Sequence, residues 1–230
     1  MKVLTLKNIH KIYEETEVKV NAVNGIDLEF EKGEFSAIVG PSGSGKTTLL
    51  NMIGGLDQPT RGDIIINSTN LRNLKPSQLI DFRMYNIGFV FQAYNLIPVL
   101  TARENVEFIM HLQGIPKKER RARAEELLEA VGLADRMDSR PSKMSGGQQQ
   151  RVAVARALAS KPKFVLADEP TANLDSKSTE NLLDIMEKLN REEHMTFIFS
   201  THDSRVVKKA HRVITIEDGK VNSDEMQKNE

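Results

Sequence analysis

Hydrophobic and polar residues alternate one by one in the first part of the chain. The apolar positions of this pattern are Val18, Val20, Ala22, Ile26, Leu28 and Phe30. A period of two places such side chains on one face of a β-strand. The alternation therefore predicts half-buried strands that form a small antiparallel sheet near the N-terminus.

Later strand-length segments are largely apolar rather than alternating. They cover residues 35–39, 87–91, 164–167, 196–199 and 213–216. Helical patterns lie between them, and residues 176–190 place Leu182, Ile185, Met186 and Leu189 on one face. Strands that are apolar on both faces and alternate with helices are typical of a parallel sheet covered by helices on both sides. The sequence thus predicts an α/β fold.

One long segment interrupts this alternation of strands and helices. Between about residues 101 and 160 the apolar positions have helical spacing, as in 117–131, where Ala124, Leu127, Leu128 and Val131 share a face. We therefore predict an all-helical block inserted between the strands at 87–91 and 164–167. The last residues, 223–230, are polar, and we expect them to form a frayed tail.

Composition restricts the possible partners. The 230 residues carry 32 basic and 32 acidic side chains, so there is no overall attraction to nucleic acid or anionic lipid. Cysteine is absent, which fits a reducing compartment. No segment approaches the ~18 apolar residues of a membrane span, and the first residues lack the apolar core of a signal peptide. We expect a soluble cytoplasmic protein that reaches a membrane only through a partner.

A glycine-rich loop joins the apolar run at 35–39 to a helix-forming segment at 48–53. It fits G-x-x-x-x-G-K-[ST], in which backbone N–H groups cradle nucleotide phosphates and the hydroxyl binds Mg²⁺. Glycine lets the backbone approach the anion, and the next helix adds unpaired N–H groups. An ordinary glycine turn is the alternative interpretation. The predicted phosphate-binding residues are Gly40, Ser42, Gly43, Ser44, Gly45, Lys46, Thr47 and Thr48.

Polar residues directly follow three of the predicted strands. Asp168 and Glu169 come after 164–167, Gln92 after 87–91, and His202, preceded by Thr201, after 196–200. Ligands of open α/β sheets bind beyond the carboxyl ends of the strands, so these side chains are candidates for one site.

Each candidate has a chemical role that suits its side chain. Adjacent residues at a strand end point in different directions, so Asp168 is predicted to face Mg²⁺ and Glu169 an attacking water as general base. Gln92 is predicted to bind Mg²⁺ or to orient the water, and His202 to hold the γ-phosphate or the water in line. Taken singly, a glutamine or histidine here is more often structural, and the two carboxylates resemble an acidic turn before Pro170.

A second glycine motif lies in the helical block. Ser145 with Gln148 three residues later has the form of a capping box, and Gly146 and Gly147 leave the helix N-terminus bare. Two phosphate-binding elements in one chain suggest that two copies meet head to tail, each closing over the nucleotide of the other. A flexible loop before a helix is the alternative. Asp175 precedes another helix as a candidate N-cap, which is compatible with a role in signalling across the dimer seam.

In order and approximate spacing these motifs resemble the ATP-binding cassette of ABC transporters. The resemblance covers nearly the whole chain and implies one domain with three parts. It implies a RecA-like P-loop NTPase core with a small antiparallel β subdomain over about 1–92 and 161–222, and a helical subdomain over about 93–160. It implies ATP and Mg²⁺ as cofactors and, for Tyr13, the aromatic residue that stacks on adenine.

The resemblance also implies a role for each site residue. Lys46 and the backbone of 42–48 bind phosphates, while the metal ligands are Thr47, Gln92 and Asp168. Glu169 is the base, and His202 and Gln92 complete the γ-phosphate site. Ser145 and Gly147 act in trans, within a homodimer that encloses two ATP molecules.

Finer features are similar to the macrolide-export and lipoprotein-release branch, MacB and LolD. They are residues 88–98, 104–106 and 167–176. The chain departs from the family pattern at two positions: Met144 stands where leucine usually precedes the serine of the second glycine motif, and Thr47 stands where serine is commoner in the phosphate loop. The branch implies integral membrane permease subunits as partners, at the cytoplasmic face of the membrane, and no nucleic acid is expected.

A signalling subunit of a cell-division type complex remains an alternative. A DNA-repair ATPase is disfavoured by the short helical insert, and a GTP switch by the absence of Asn-Lys-x-Asp.

Overall fold

The N-terminal part of the chain forms a four-stranded antiparallel sheet in the order β2-β1-β4-β5. Its strands are β1 (Lys2–Tyr13), β2 (Val20–Glu31), β4 (Arg61–Ile66) and β5 (Thr69–Asn70). The structure is a computed structural model that describes residues 1–14 and 19–227. The predicted antiparallel sheet is confirmed, although β1, which pairs with both β2 and β4, was not predicted from the sequence.

The predicted alternation of β2 is correct only in its second half. Ile26, Leu28 and Phe30 are buried, whereas Val20 is exposed and Val23 is buried instead. The pairing of β1 with β2 shifts register at several points along the ladder. Each irregularity changes which side chains face the core, so a single period of two does not extend along the whole strand. Val18 lies outside the described residues.

A second, six-stranded sheet carries the order β10-β9-β3-β8-β7-β6. Its parallel strands are β3 (Phe35–Val39), β6 (Ile87–Phe91), β7 (Phe164–Asp168), β8 (Phe197–Ser200) and β9 (Arg212–Glu217). This confirms the predicted parallel sheet. The last strand, β10 (Lys220–Met226), adds an antiparallel hairpin at one edge.

Seven α-helices occur in the described residues, and they cover both faces of the six-stranded sheet. They are α1 (Lys46–Ile53), α2 (Pro76–Asn86), α3 (Ala102–Leu112), α4 (Lys117–Ala130), α5 (Gly146–Ala159), α6 (Ser176–Glu193) and α7 (Ser204–Lys209). The helical block α3–α5 follows β6 and precedes β7, as predicted.

The sheet separates two hydrophobic cores. In β7, Val165 packs with α3–α7 on one side, whereas Leu166 packs with α1 and the antiparallel sheet on the other. Alternate residues of a strand point to opposite faces, so an apolar strand supplies both cores at once. Helix α1 is thereby held between the two sheets, with Leu49 and Met52 fully buried.

The prediction of a frayed tail over residues 223–230 is wrong for its first four residues. Residues 223–226 belong to β10, which pairs with β9. The guanidinium of Arg212 on β9 binds both carboxylate oxygens of Asp224 at 2.7 Å and also contacts Glu34 at 3.0 Å. These polar residues are ordered by a cross-strand ion pair, which hydrophobic patterning does not reveal.

Replacing Asp224 with Asn should lower the free energy of unfolding by about 1 kcal/mol. The two charge-assisted hydrogen bonds weaken while Arg212 keeps Glu34, and partial exposure limits the loss. Urea unfolding measures the change. Glu225→Gln is the matched control, because its side chain lies on the opposite face of β10. Equal midpoints for Asp224→Asn and the wild type would show that the hairpin gains nothing from this pair.

Candidate active site

An open cleft of about 1060 Å³ lies at the carboxyl ends of the parallel strands. Strand register places Phe91, Asp168 and Ser200 side by side at the ends of β6, β7 and β8. The residues that follow each strand therefore come close together, as the sequence predicted. The cleft is lined by the phosphate loop and by Tyr13, Gln92, Glu169 and His202.

The loop between β3 and α1 is closely packed against both sheets. Gly40 has φ +152°, and a Cβ there would lie 2.0 Å from the carbonyl oxygen of Ile216 on β9. Gly45 has φ +100°, and its Cβ would lie 2.1 Å from the carbonyl oxygen of Ala22 on β2. A side chain at either position would collide with backbone that cannot easily move, so the loop requires glycine at both.

The loop is arranged to receive an anion. Gly45 is the N-cap of α1 and supplies no side-chain acceptor for the first N–H groups of the helix. The ammonium of Lys46 is held inside the loop by the carbonyl oxygens of Gly40 and Pro41, each at 2.9 Å. Within the described residues, the buried hydroxyl of Ser44 has no hydrogen-bond partner. Bare N–H groups, an ammonium and an unpaired hydroxyl in one loop fit a bound phosphate chain.

Two oxygen-bearing side chains beside the loop suit a divalent cation. Thr47 Oγ1 lies 3.3 Å from Asp168 Oδ1, and the loop residues and Gln92 line the same cleft. Burial raises the pKa of the Asp168 carboxyl, partly against the hydrogen bond from Thr47. A cation bound here would offset that cost of burying a carboxylate. The donor set of hydroxyl, carboxylate and amide oxygens is one that Mg²⁺ accepts.

Glu169 turns away from Asp168, as expected for neighbours at a strand end. Its backbone has φ +45°, and its N–H donates to the carbonyl oxygen of Ser200 at 2.9 Å. One carboxylate oxygen lies 2.7 Å from His202 Nδ1, and the other accepts a hydrogen bond from the Thr201 hydroxyl at 3.2 Å. The carboxylate is 18% exposed and the imidazole 76% exposed. The histidine can therefore move while the carboxylate stays in place.

Several positioning residues around these groups were not predicted from the sequence. Thr171 donates its hydroxyl proton to Asp203 at 2.9 Å, which joins the segments after β7 and β8. Hydrogen bonds from Arg205 lower the pKa of Asp203 to about 2, so this carboxylate remains an acceptor. The buried side chain of Gln150 on α5 donates to the carbonyl oxygen of Pro170 at 2.8 Å. The sequence offered two weak signals for them: Thr171 and Asp203 lie shortly after predicted strands, and Gln150 belongs to the glutamine run at 148–150.

Gln92 has an exposed side chain at the rim of the cleft. Its backbone carbonyl accepts a hydrogen bond from the Asn173 side chain at 2.9 Å. Gln150 also reaches the carbonyl oxygen of Phe91 at 3.3 Å. These hydrogen bonds attach residues 91–92, which lead into the helical block, to the segment that follows Glu169. They use the backbone of Gln92, so its side-chain amide can turn into the cleft.

Tyr13, the last residue of β1, also lines the cleft. The residue is 37% exposed, and its hydroxyl donates to Asp57 Oδ2 at 3.0 Å. Burial raises the pKa of the phenol. The Tyr13 hydroxyl also contacts the Thr48 side chain, so the aromatic ring lies beside the helix that begins at the phosphate loop and lines the same cleft.

The structure does not bring the second glycine motif into this cleft. The predicted capping box is present: Ser145 is the N-cap of α5, Gln148 N–H donates to its hydroxyl at 3.3 Å, and Ser145 N–H donates to Gln148 at 2.9 Å. The motif lines a separate hollow of about 240 Å³, whose residues include Arg151 and Ser178 but none from the cleft.

Both motif glycines lie where side chains would meet neighbours. A Cβ on Gly146 would lie 2.7 Å from the Tyr94 hydroxyl, and one on Gly147 would lie 2.8 Å from the Ser178 hydroxyl. Asp175 caps α6 by accepting hydrogen bonds from Ser178, at 2.9 Å from its N–H and 2.7 Å from its hydroxyl. These bonds lower the pKa of Asp175. The prediction that Asp175 is an N-cap is confirmed.

Comparisons with known proteins identify the family. The profile of the ABC transporter family matches residues 23–172. An uncharacterized ABC transporter ATP-binding protein of Thermotoga maritima is 50% identical over 220 residues, 96% of this chain and 94% of that protein. The lipoprotein-releasing system ATP-binding protein LolD 1 of Rhodopseudomonas palustris is 48% identical over 221 residues, 95% of this chain and 98% of that protein.

A solved structure shows the same fold. It is the dimeric, post-hydrolysis state of the ATP-binding cassette MJ0796 bound to ADP and Pi, a protein of Methanocaldococcus jannaschii. It is 43% identical, covers 99% of this chain and 100% of its own, and superimposes with a TM-score of 0.90. The predicted α/β cassette fold is confirmed, and the chain belongs to the ABC transporter family as one of its ATPase cassettes.

Proposed function

We propose that this chain is the ATP-hydrolysing subunit of a membrane complex of the MacB/LolD type, and that it works as a homodimer around two ATP molecules. One observation carries the proposal: the phosphate cleft and the Ser145 motif are two built sites on separate surfaces of one chain. Two copies arranged head to tail can bring each motif to the other copy's cleft. The dimeric state of the cassette MJ0796 supports such an arrangement.

Within one cleft, the phosphate loop binds and orients the nucleotide. The N–H groups of α1 and the Lys46 ammonium offset the charge of the phosphates, and the Ser44 hydroxyl gains a partner there. Thr47, Asp168 and Gln92 would hold Mg²⁺, which supplies charge stabilisation to the outer phosphates when it is bound. Tyr13 offers its ring to the adenine.

Glu169 is placed to accept the proton of an attacking water. Its carboxylate is held by Thr201 and His202 at the edge of the cleft, beside the segment that carries Gln92. When the exposed imidazole turns toward the γ-phosphate, the Glu169 oxygen at 2.7 Å from Nδ1 is released for the water. His202 then donates a hydrogen bond to the phosphate and keeps the water in line.

The second copy completes the site with Ser145 and Gly147. The Ser145 hydroxyl accepts a hydrogen bond from Gln148 N–H, so its own proton remains to be donated to a phosphate oxygen. Hydrolysis then depends on dimerisation, in the way that an arginine finger supplies a missing charge to other nucleotide hydrolases. Asp175, which caps α6 and contacts Ser178, is a candidate for signalling across the dimer seam.

The proposed partners are integral membrane permease subunits, which would place the chain at the cytoplasmic face of a membrane. No helix in residues 1–14 and 19–227 is long and apolar enough to cross a bilayer. The LolD relative supports this branch.

Replacing Glu169 with Gln should reduce ATP turnover by ~10² or more while ATP still binds, because a positioned general base contributes on that order. The variant should accumulate as an ATP-bound dimer in gel filtration, and phosphate release gives the turnover. Glu129→Gln, on the exposed face of α4, is the control and should behave as wild type. A Glu169→Gln protein that stays monomeric with saturating ATP contradicts the assignment.

Mixing two inactive variants should restore hydrolysis. Lys46→Ala removes phosphate binding, and Ser145→Ala removes the trans group while sparing ATP binding by a single subunit. A mixed dimer contains one site with Lys46 from one copy and Ser145 from the other, so roughly a quarter of wild-type turnover should return in an equal mixture. If the mixture hydrolyses ATP no faster than the two variants measured separately and added, the motifs do not act across the dimer and the proposal is contradicted.

Purifying the tagged chain from detergent-solubilised membranes should recover a permease that changes its rate of ATP hydrolysis. Glu169→Gln should retain the permease, because it leaves the dimer intact. A permease that conducts no substrate but controls another enzyme would favour the signalling alternative. Recovery of DNA without a membrane protein would contradict the proposal.

A further inference from the structure

Three side chains beside the cleft, those of Lys11, Tyr13 and Asp57, contact one another. Asp57 accepts a hydrogen bond from the Tyr13 hydroxyl at 3.0 Å on one oxygen and from the Lys11 ammonium at 2.6 Å on the other. The Lys11 nitrogen also lies 4.9 Å from the centre of the Tyr13 ring. We call Lys11 and Asp57 the Tyr13 clamp, because together they fix both the hydroxyl and one face of the ring.

The clamp is joined to the phosphate loop through α1. After this helix ends, the N–H groups of Leu56 and Asp57 donate to the carbonyl oxygen of Asn51, at 2.8 and 3.2 Å. A few residues later, Ile12 N–H donates to the Thr60 hydroxyl at 3.1 Å. The segment 56–60 thus connects the helix that begins at the phosphate loop with the end of β1 that carries Tyr13.

Burial and charge make the clamp more than a surface ion pair. The Lys11 side chain is 14% exposed and that of Asp57 29% exposed. Burial alone would raise the pKa of Asp57, but hydrogen bonds from Lys11, the Gln58 N–H and Tyr13 outweigh it and lower the pKa. The carboxylate therefore stays ionised near neutral pH and remains an acceptor for the phenol. A cation held over the ring adds a cation–π contact on the same side.

Only part of this assembly faces the cleft. Tyr13 lines the cleft, whereas Lys11 and Asp57 do not. Asp57 and Lys11 therefore hold the ring from outside the cleft, while Thr48 at the start of α1 contacts its hydroxyl from the cleft side. A planar group that stacks on this surface gains most when the ring is already fixed, because no side-chain entropy is then lost on binding.

We propose that Asp57 and Lys11 are positioning residues that hold the Tyr13 ring for stacking against the nucleotide base. This inference rests on the proposed function, in which the cleft binds ATP with its base at Tyr13. The clamp contributes to recognition of the base and leaves phosphate binding and the hydrolysis step unchanged. It also makes the Tyr13 hydroxyl, and not only the ring, a determinant of nucleotide affinity.

The main experiment measures affinities by calorimetry with ADP and with inorganic tripolyphosphate, which has no base. Asp57→Asn and Tyr13→Phe should each weaken ADP binding by roughly 5- to 10-fold, as expected for loss of a hydrogen bond to a charged group. The losses in the double variant should be less than additive, because the hydrogen bond between the phenol and the carboxylate is removed by either substitution alone. Tripolyphosphate binding should stay at the wild-type level in all three.

Asp63→Asn is the matched control. Asp63 is a partly buried carboxylate on β4 that accepts a hydrogen bond from the Asn70 amide at 2.9 Å, in the same sheet but outside the clamp. It should leave both affinities unchanged. In steady-state hydrolysis, Asp57→Asn should raise KM for ATP while kcat stays within about twofold of wild type. This pattern is expected when a variant loses an interaction that stabilises the bound substrate and the transition state equally.

Tyrosine emission gives a direct reading of the ring. The chain has no tryptophan and only three tyrosines, so Tyr85→Phe with Tyr94→Phe leaves Tyr13 as the single emitter. Saturating ADP should quench this emission, and the quenching should be smaller when Asp57→Asn or Lys11→Met is added. Tripolyphosphate should not quench it.

The outcomes separate the clamp from the proposed function. If Tyr13→Ala weakens ADP binding but Asp57→Asn, Lys11→Met and Tyr13→Phe do not, the clamp is overturned and the stacking role of Tyr13 stands. If Asp57→Asn weakens ADP and tripolyphosphate equally, the clamp only stabilises the fold and the inference is overturned. If the wild type fails to bind ADP, the proposed function itself is contradicted.

Discussion

The structure depends on the close packing of the phosphate loop between backbone segments on either side of it. The carbonyl oxygens of Ile216, in the parallel sheet, and of Ala22, in the antiparallel sheet, lie so close to the loop that a Cβ would collide with them. Gly40 and Gly45 make this approach possible. The loop is therefore where the two sheets meet, and its shape is fixed by backbone from both of them rather than by its own residues alone.

This constraint also determines where the chemistry is found. Because β6, β7 and β8 are parallel and in register with the strand that leads into the loop, their ends reach the same edge. Asp168 and Glu169 then face different partners, Thr47 and His202, through ordinary strand alternation followed by one residue of positive φ. No long-range rearrangement is needed to assemble these groups around a phosphate.

The features predicted correctly from the sequence are those that depend on short stretches of chain. The strand–loop–helix unit, the Ser145 capping box and the Asp175 N-cap each follow from a few neighbouring residues. The clamp of Tyr13 and the Arg212–Asp224 pair depend on residues 44 and 12 positions apart, respectively, whose polar side chains carry no period. Such pairs exist only once the strands are aligned, so hydrophobic patterning could not predict β10 or the role of Asp57.

The two glycine motifs differ in a way that bears on their order of action. At α1 the N-cap is Gly45, so the helix N–H groups have no side-chain acceptor and await a ligand. At α5 the Ser145 hydroxyl already accepts from Gln148, so fewer donors remain for an anion. The first motif therefore offers more unpaired donors to a phosphate than the second does. For the proposed homodimer, this asymmetry predicts that nucleotide binding comes first and that closure of the dimer follows.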